Sequence, residues 1–158
     1  MCGVAGVTAL RGSLLHTSFS YQSVFDQLLS HRGPDGSGMW SNQGLDVFLA
    51  HYRLAILDTT QAANQPMTSP AGCVITYNGE IYNYRELRET ARQKGYQFSS
   101  SSDTEAILAT YEQHGLNAIQ ELRGMFAFGL WDETKKQLVL ARDRFGVKPL
   151  YYCIVGQE

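Results

Sequence analysis

The sequence predicts a layered α+β protein, with helices packed on a buried antiparallel sheet. Three observations carry this. Residues 125–131 are apolar on both faces, the pattern of a central strand covered above and below. A polar stretch, Asp132-Glu-Thr-Lys135, joins them to a second strand over 137–142, which makes a hairpin. Three other segments carry the apolar spacing or the capping signals of helices.

In chain order, the glycine-rich residues 1–8 read as a short strand. Residues 18–30 place Tyr21, Val24, Phe25, Leu28 and Leu29 at a helical period and end in the turn-forming His31-Arg-Gly-Pro-Asp-Gly36. Residues 45–53 alternate loosely and are rich in strand formers, whereas 59–72, with Pro66 and Pro70, read as a loop. Residues 73–77 form a clean strand that runs into Asn78-Gly79, a turn signal. A helix follows over 83–95, with Tyr84, Leu87 and Ala91 on one face, Arg85 and Glu89 four apart, and Gly95 at the C-cap position. Ser102-Asp-Thr-Glu105 has the spacing of a capping box, so a helix carrying Ile107, Leu108 and Tyr111 starts there and stops at Gly115. A last apolar strand is predicted over 150–155. The sequence reaches Glu158 soon afterwards with no polar tail, which we read as one part of a larger protein.

Composition narrows the function classes. A length of 158 residues fits about one domain, and 44% hydrophobic residues suffice for a packed core. Thirteen Lys+Arg against fifteen Asp+Glu is not the footprint of a nucleic-acid binder. No apolar run approaches the roughly 20 residues that span a bilayer, and the N-terminus lacks the regions of a signal peptide. A cytoplasmic protein without membrane or nucleic-acid partners is the expectation. Cys2, Cys73 and Cys153 form no CxxC pair, and His16, His31, His51 and His114 show no metal spacing. Cys73 and Cys153 lie in apolar strand runs and read as inert core thiols.

Three features carry chemistry. Cys2 becomes N-terminal if Met1 is removed, and its α-amine, with an ordinary pKa of about 7.7–8.0, then serves as the base for its own thiol. The alternative is an incidental small residue beside the start codon. Asn78 offers two amide donors and Gly79 a backbone N–H with no side chain in the way, the parts of an oxyanion hole. Asn-Gly is equally the commonest hairpin turn. Arg53 can hold an α-carboxylate bidentately, and Glu80 with Asp103 suits an α-ammonium, so the set matches a free α-amino acid. Its plain alternatives are a surface cation, a loop charge and a first-turn acid facing the helix dipole.

Seven ordered motifs add a resemblance: Met1-Cys-Gly-Val-Ala-Gly6, His31-Arg-Gly-Pro-Asp-Gly36, Ala50-His-Tyr-Arg-Leu-Ala-Ile-Leu-Asp58, Tyr77-Asn-Gly-Glu-Ile-Tyr-Asn83, Ser102-Asp-Thr-Glu105, Arg123-Gly-Met-Phe-Ala-Phe128 and Ala141-Arg-Asp-Arg-Phe-Gly-Val-Lys-Pro-Leu-Tyr-Tyr152. From Cys2 to Tyr152 the chain resembles the N-terminal glutaminase domain of glutamine-hydrolysing asparagine synthetases. These are class II glutamine amidotransferases with an N-terminal nucleophile. Glucosamine-6-phosphate synthases and amidophosphoribosyltransferases share the cysteine and an Asn-Gly element, without these other motifs together.

The resemblance implies a four-layer αββα sandwich of the N-terminal nucleophile hydrolase type, truncated at its C-terminal end, with an exposed sheet edge as a consequence. It implies Cys2 as nucleophile, Asn78 and Gly79 as oxyanion donors, Arg53 on the substrate α-carboxylate, Glu80 and Asp103 around its α-ammonium, and the backbone at Leu54 and Ile56 lining the pocket. His31, Arg32 and Asp35 organise the site, and a Cys–His dyad with His31 or His51 is the rival mechanism. The implied partners are L-glutamine, a synthetase domain of the same parent, facing 142–152, and a second copy in a homodimer. No cofactor or metal is expected in this chain, since ATP and Mg belong to the absent synthetase domain. The competing readings are a silent domain of the same fold, an amidotransferase with another carboxylate acceptor, and an acylase or protease using an N-terminal nucleophile.

Overall fold

The computed structural model describes residues 2–9, 21–56 and 58–155. Two antiparallel sheets stack face to face. The first has the order β1-β3-β2, built from β1 (Gly3–Thr8), β2 (Gly36–Ser41) and β3 (Val47–Arg53). The second has the order β4-β5-β6-β7, from β4 (Met67–Thr68), β5 (Cys73–Ile81), β6 (Gly124–Asp132) and β7 (Gln137–Arg142). Helix α1 (Tyr21–Leu29) covers the outer face of the first sheet. Its Tyr21 and Phe25 rings meet Phe48, and its Asp26 accepts the Tyr52 hydroxyl at 2.8 Å. Helices α2 (Tyr84–Gln93) and α3 (Asp103–His114) cover the outer face of the second, followed by the short α4 (Ala118–Glu121). The predicted αββα layering is therefore observed.

Strand periodicity sorts the side chains into two cores. On β3, Val47 and Leu49 turn inward and meet Val74 and Trp131 of the second sheet. On β5 and β6 the alternate residues Ile75, Tyr77, Phe126, Phe128 and Leu130 pack instead against Ile107 and Leu108 of α3. Strand β6 is covered on both faces, as its apolar sequence required. Ser102 caps α3 by accepting the Glu105 N–H at 3.2 Å, and Gly115, at φ 58°, ends it. Alanine at position 102 is expected to lower the unfolding free energy by about 1 kcal/mol, read from a denaturation midpoint.

Several expectations need correction. Asn78-Gly79 is not a turn, because β5 continues through it to Ile81 in an unbroken ladder with β6. Residues 150–155 form no strand, since nothing among the described residues pairs with them. Cys153 is accordingly exposed and not a core thiol. Cys73 is buried as expected, and burial, with Asp132 and Glu112 nearby, pushes its thiol up to about 11. Strand β2 was missed, because Gly36, Ser37 and Gly38 are poor strand formers held by pairing with β3. Among the described residues no helix is long and apolar enough to cross a membrane.

After β7, Asp143 folds the chain back. Its carboxylate accepts the N–H groups of Phe126, Phe145, Val147 and Lys148 at 2.9–3.1 Å. Burial alone would raise its pKa, but these donors outweigh it and hold the group at about 2. A carboxylate with a depressed folded pKa stabilises above its unfolded value and loses that contribution as pH falls through the folded one. Asp143→Asn is thus expected to cost about 1–3 kcal/mol at neutral pH. The gap to the parent closes between about pH 4 and 2, measured by thermal unfolding across pH.

Candidate active site

One cavity lies where the start of β1, the ends of β3 and β5 and the start of α3 converge. Cys2, Asn78 and Gly79 line it, and so do Arg53, Leu54, Ile56, Glu80 and Asp103. The structure gathers at one cavity all the residues expected to act in catalysis or substrate binding, whereas His31 and Arg32, expected to organise the site, are not among its lining. Register explains the convergence: Gly3 pairs with Tyr52, which sets Cys2 beside the end of β3, where Arg53 and Leu54 follow.

The Cys2 Sγ lies 3.4 Å from the Leu54 N–H and 3.6 Å from the Leu54 carbonyl oxygen. Neither rival histidine touches it. His31 is exposed in the 3-10 turn Ser30–Arg32, away from the cavity. His51 borders the cavity, but its Nε2 lies 3.2 Å from the Tyr77 carbonyl, which requires that nitrogen to donate. Burial chiefly, and then the charge of Arg53, lower its pKa to about 4, too weak a base to activate a thiol near neutral pH. Its Nδ1 is buried with no partner among the described residues.

The strand ladder makes Gly79 a donor. Phe126, opposite Gly79, spends both backbone groups on Asp143: its N–H reaches the carboxylate at 3.1 Å, and its carbonyl accepts the Asp143 N–H at 2.8 Å. Gly79 and Phe126 are therefore a non-hydrogen-bonded pair, and the Gly79 N–H points away from β6. Its neighbours of the same parity point the same way. Tyr77 donates to the Gln65 Oε1 at 2.7 Å and Ile81 to the Asp103 Oδ2 at 3.0 Å, both side-chain acceptors past the end of β4. Between them the Gly79 N–H has no acceptor among the described residues and faces the cavity. The Asn78 amide, which lines the same cavity, has no protein partner among them either. A side chain at 79 is impossible without separating β5 from β6, since its Cβ would lie 2.2 Å from the Met125 carbonyl oxygen.

Charge is arranged asymmetrically around the cavity. Arg53 donates through Nη1 to the Thr60 carbonyl at 2.9 Å and to Asn64 Oδ1 at 2.8 Å, and through Nη2 to the Asp58 carbonyl. Its second Nη2 hydrogen and its Nε have no acceptor among the described residues. Asp103 accepts the Tyr77 hydroxyl at 2.7 Å as well as the Ile81 N–H, yet burial dominates and raises its pKa. Glu80 and Asp103 have no ion-pair partner among the described residues. Two acidic side chains thus face the cavity, and burial disfavours the charged form of Asp103, which a nearby cation would favour.

Asp35 ties the segment after β3 in place: it accepts the Ala55 N–H at 2.8 Å and donates its own N–H to the Arg53 carbonyl at 3.0 Å. Sequence reasoning missed Asp58, Gln65 and Lys148 as cavity residues. Asp58 and Lys148 sit inside recognisable motifs that could have flagged them; Gln65 gave no signal. Among the described residues no three His, Cys, Asp or Glu side chains gather as a metal site.

A family model described as a glutamine amidotransferase domain matches residues 1–158. The Bacillus subtilis protein named asparagine synthetase [glutamine-hydrolyzing] 1 is 39% identical over 160 residues, covering 100% of this chain and 25% of its own length. Asparagine synthetase [glutamine-hydrolyzing] 2 of Arabidopsis thaliana is 41% identical over 151 residues, 94% of this chain and 25% of its own. The chain spans about a quarter of the length of these relatives. Among solved structures, the glutamine phosphoribosylpyrophosphate amidotransferase of B. subtilis, complexed with ADP and GMP, superposes with a TM-score of 0.67 at 22% identity, over 92% of this chain and 38% of that one. The fold, the convergent cavity and the match over the whole sequence lead to one conclusion: the chain belongs to the glutamine amidotransferase domain family.

Proposed function

We propose that this chain hydrolyses L-glutamine to glutamate and ammonia through a thioester on Cys2. With Met1 removed, the Cys2 α-amine takes the thiol proton and the thiolate attacks the side-chain amide carbon. Asn78 Nδ2 and the Gly79 N–H stabilise the oxyanion of the tetrahedral intermediate. The carbon–nitrogen bond then breaks, the α-ammonium returns its proton to the leaving nitrogen, and ammonia departs. Water attacks the γ-glutamyl thioester, releasing glutamate and restoring the thiol. Arg53 receives the α-carboxylate, Glu80 and Asp103 the α-ammonium, and the backbone at Leu54 and Ile56 walls the substrate in.

The observation that carries this reading is one cavity joining a thiol and, with no partner among the described residues, two N–H donors, hydrogens of one guanidinium and two acidic side chains. An acylase or protease needs no such zwitterion receptor. The test is an assay of the purified chain, freed of Met1, for equimolar glutamate and ammonia from glutamine. A folded chain that releases neither sinks the reading and leaves a silent domain. Within it, Asn78→Ala is expected to lower kcat about 10²–10³-fold with KM changed little, measured by ammonia release.

The ammonia, on this reading, passes to a synthetase domain of the same parent that amidates aspartate with ATP and Mg; another carboxylate acceptor is the alternative. Similarity to proteins about four times as long supports such a partner. So does the exposed apolar run after β7, where Phe145, Tyr151 and Val155 are 91%, 89% and 87% accessible.

A further inference from the structure

Two loops border the cavity, and each delivers one pole of the amino-acid receptor. The segment after β3 folds around the Arg53 guanidinium, and the serine-rich residues 98–102 lead into Asp103 at the start of α3. Two residues of the first segment reach the second: Gln65 Nε2 donates to the Thr104 hydroxyl at 3.1 Å, and Asp58 touches both Arg53 and the serine loop. Its backbone carbonyl accepts from Arg53 Nη2. Its Oδ1 accepts the Thr60 N–H at 2.9 Å and hydroxyl at 2.7 Å, which fixes its own loop. Its Oδ2 crosses to the other loop and accepts the Ser101 N–H and hydroxyl, both at 2.9 Å.

Among the described residues the serine loop is otherwise anchored toward its own helices. Glu105 accepts the N–H and hydroxyl groups of Ser99 and Ser100, and Arg88 donates to the carbonyls of Ser100 and Ser102 while stacking on Phe98. Those bonds hold the loop to α2 and α3 but say nothing of its distance from Arg53. Four donors saturate the Asp58 carboxylate, and the Thr60 hydroxyl chiefly, with the Ser101 N–H, holds it well below the usual carboxylate range. It is therefore an acceptor that a substrate ammonium does not need to share.

We propose that Asp58 is a positioning residue for amino-acid recognition, setting the spacing between the carboxylate-binding Arg53 and the ammonium-binding Asp103 without contributing to the reactivity of Cys2. This rests on the glutaminase reading of the cavity. It predicts that loss of the Asp58 carboxylate separates substrate affinity from nucleophile competence. An amide in its place keeps the volume but presents an NH₂ to donors that need an acceptor, so one of the two loops is released.

The experiment compares two electrophiles on the chain freed of Met1, each read by peptide mass at Cys2 because Cys153 is exposed and also alkylates. One is a diazoketone analogue of glutamine, which must occupy the receptor; the other is iodoacetamide, which needs only the thiol. For Asp58→Asn the half-saturating concentration of the analogue is expected to rise about tenfold or more, with its limiting rate and the iodoacetamide rate within about twofold. An unchanged half-saturation, or a parallel fall in both reagents, overturns the proposal. Should Asp58→Asn fail to fold, Ser101→Ala removes one of the two crossing donors, and an about threefold loss of analogue affinity is expected, again without effect on iodoacetamide; no loss there also overturns it. If the unaltered chain reacts with iodoacetamide at Cys2 but never with the analogue, the glutaminase reading itself has failed, and the proposal falls with it.

Discussion

Alanine at position 2 is expected to abolish ammonia release, by a factor on the order of 10⁴ or more, while the thermal midpoint barely moves. No other thiol can substitute. Cys73 lies in the core of the second sheet with its thiol pushed up to about 11, and Cys153 is exposed on the segment after β7. His51, held neutral and spent on the Tyr77 carbonyl, offers no alternative nucleophile–base pair. The side chain removed is half-buried and, among the described residues, its hydrogen bonds are two long ones with the Leu54 backbone, so little stability depends on it. Ammonia release by a coupled assay, paired with a melting curve, decides the matter. Activity within tenfold of the parent would place the nucleophile elsewhere and remove the thioester from the mechanism.

Gly79→Ala is expected to damage turnover and stability together. The added Cβ would lie 2.2 Å from the Met125 carbonyl oxygen and 2.7 Å from the Phe126 Cα, both backbone atoms of a strand locked in the sheet. Strand β6 cannot yield locally, because Phe126 is tied to Asp143 through both of its backbone groups. The clash must therefore push β5 outward, carrying the cavity-facing Gly79 N–H with it. A stability loss of about 1–3 kcal/mol is expected from the overpacking. A fall in kcat of about 10²–10³-fold accompanies it, the usual effect of losing an oxyanion donor. Chemical denaturation gives the first number and steady-state kinetics the second. A variant that is destabilised but fully active would show that Gly79 serves packing alone.

The contrast between these residues shows what sequence makes legible. Cys2, Arg53, Asn78, Glu80 and Asp103 announce themselves because their chemistry is intrinsic to the side chain, and motif order then places them in one site. The helix start at Ser102 and its stop at Gly115 are local signals and were equally readable. Asn78-Gly79 was misread as a turn because the dipeptide is ambiguous until its partner is known. Only the ladder with β6 shows that glycine is needed for close backbone approach in a continuous strand. Strand β2 escaped for the same reason: Gly36, Ser37 and Gly38 have no strand preference, and pairing with β3 imposes the conformation. Residues 150–155 erred in the opposite direction, with strand composition but no neighbour to pair with. Asp58 lies within a motif, yet its role gives no local signal, because its importance lies in joining two loops 43 positions apart, which no local pattern encodes.

The way the cavity rim is tied has a bearing on ionic strength. Asp58 is held wholly by backbone N–H and hydroxyl groups, and Glu105 largely so. Bonds from neutral donors at contact distance have no counter-charge for mobile ions to screen, unlike surface ion pairs, which fade beyond a screening length of about 8 Å at physiological salt. The shape of the receptor should thus hold from dilute buffer to molar salt. Whatever salt dependence glutamine binding shows would then report the charges that meet the substrate, Arg53, Glu80 and Asp103, and not the scaffold that presents them.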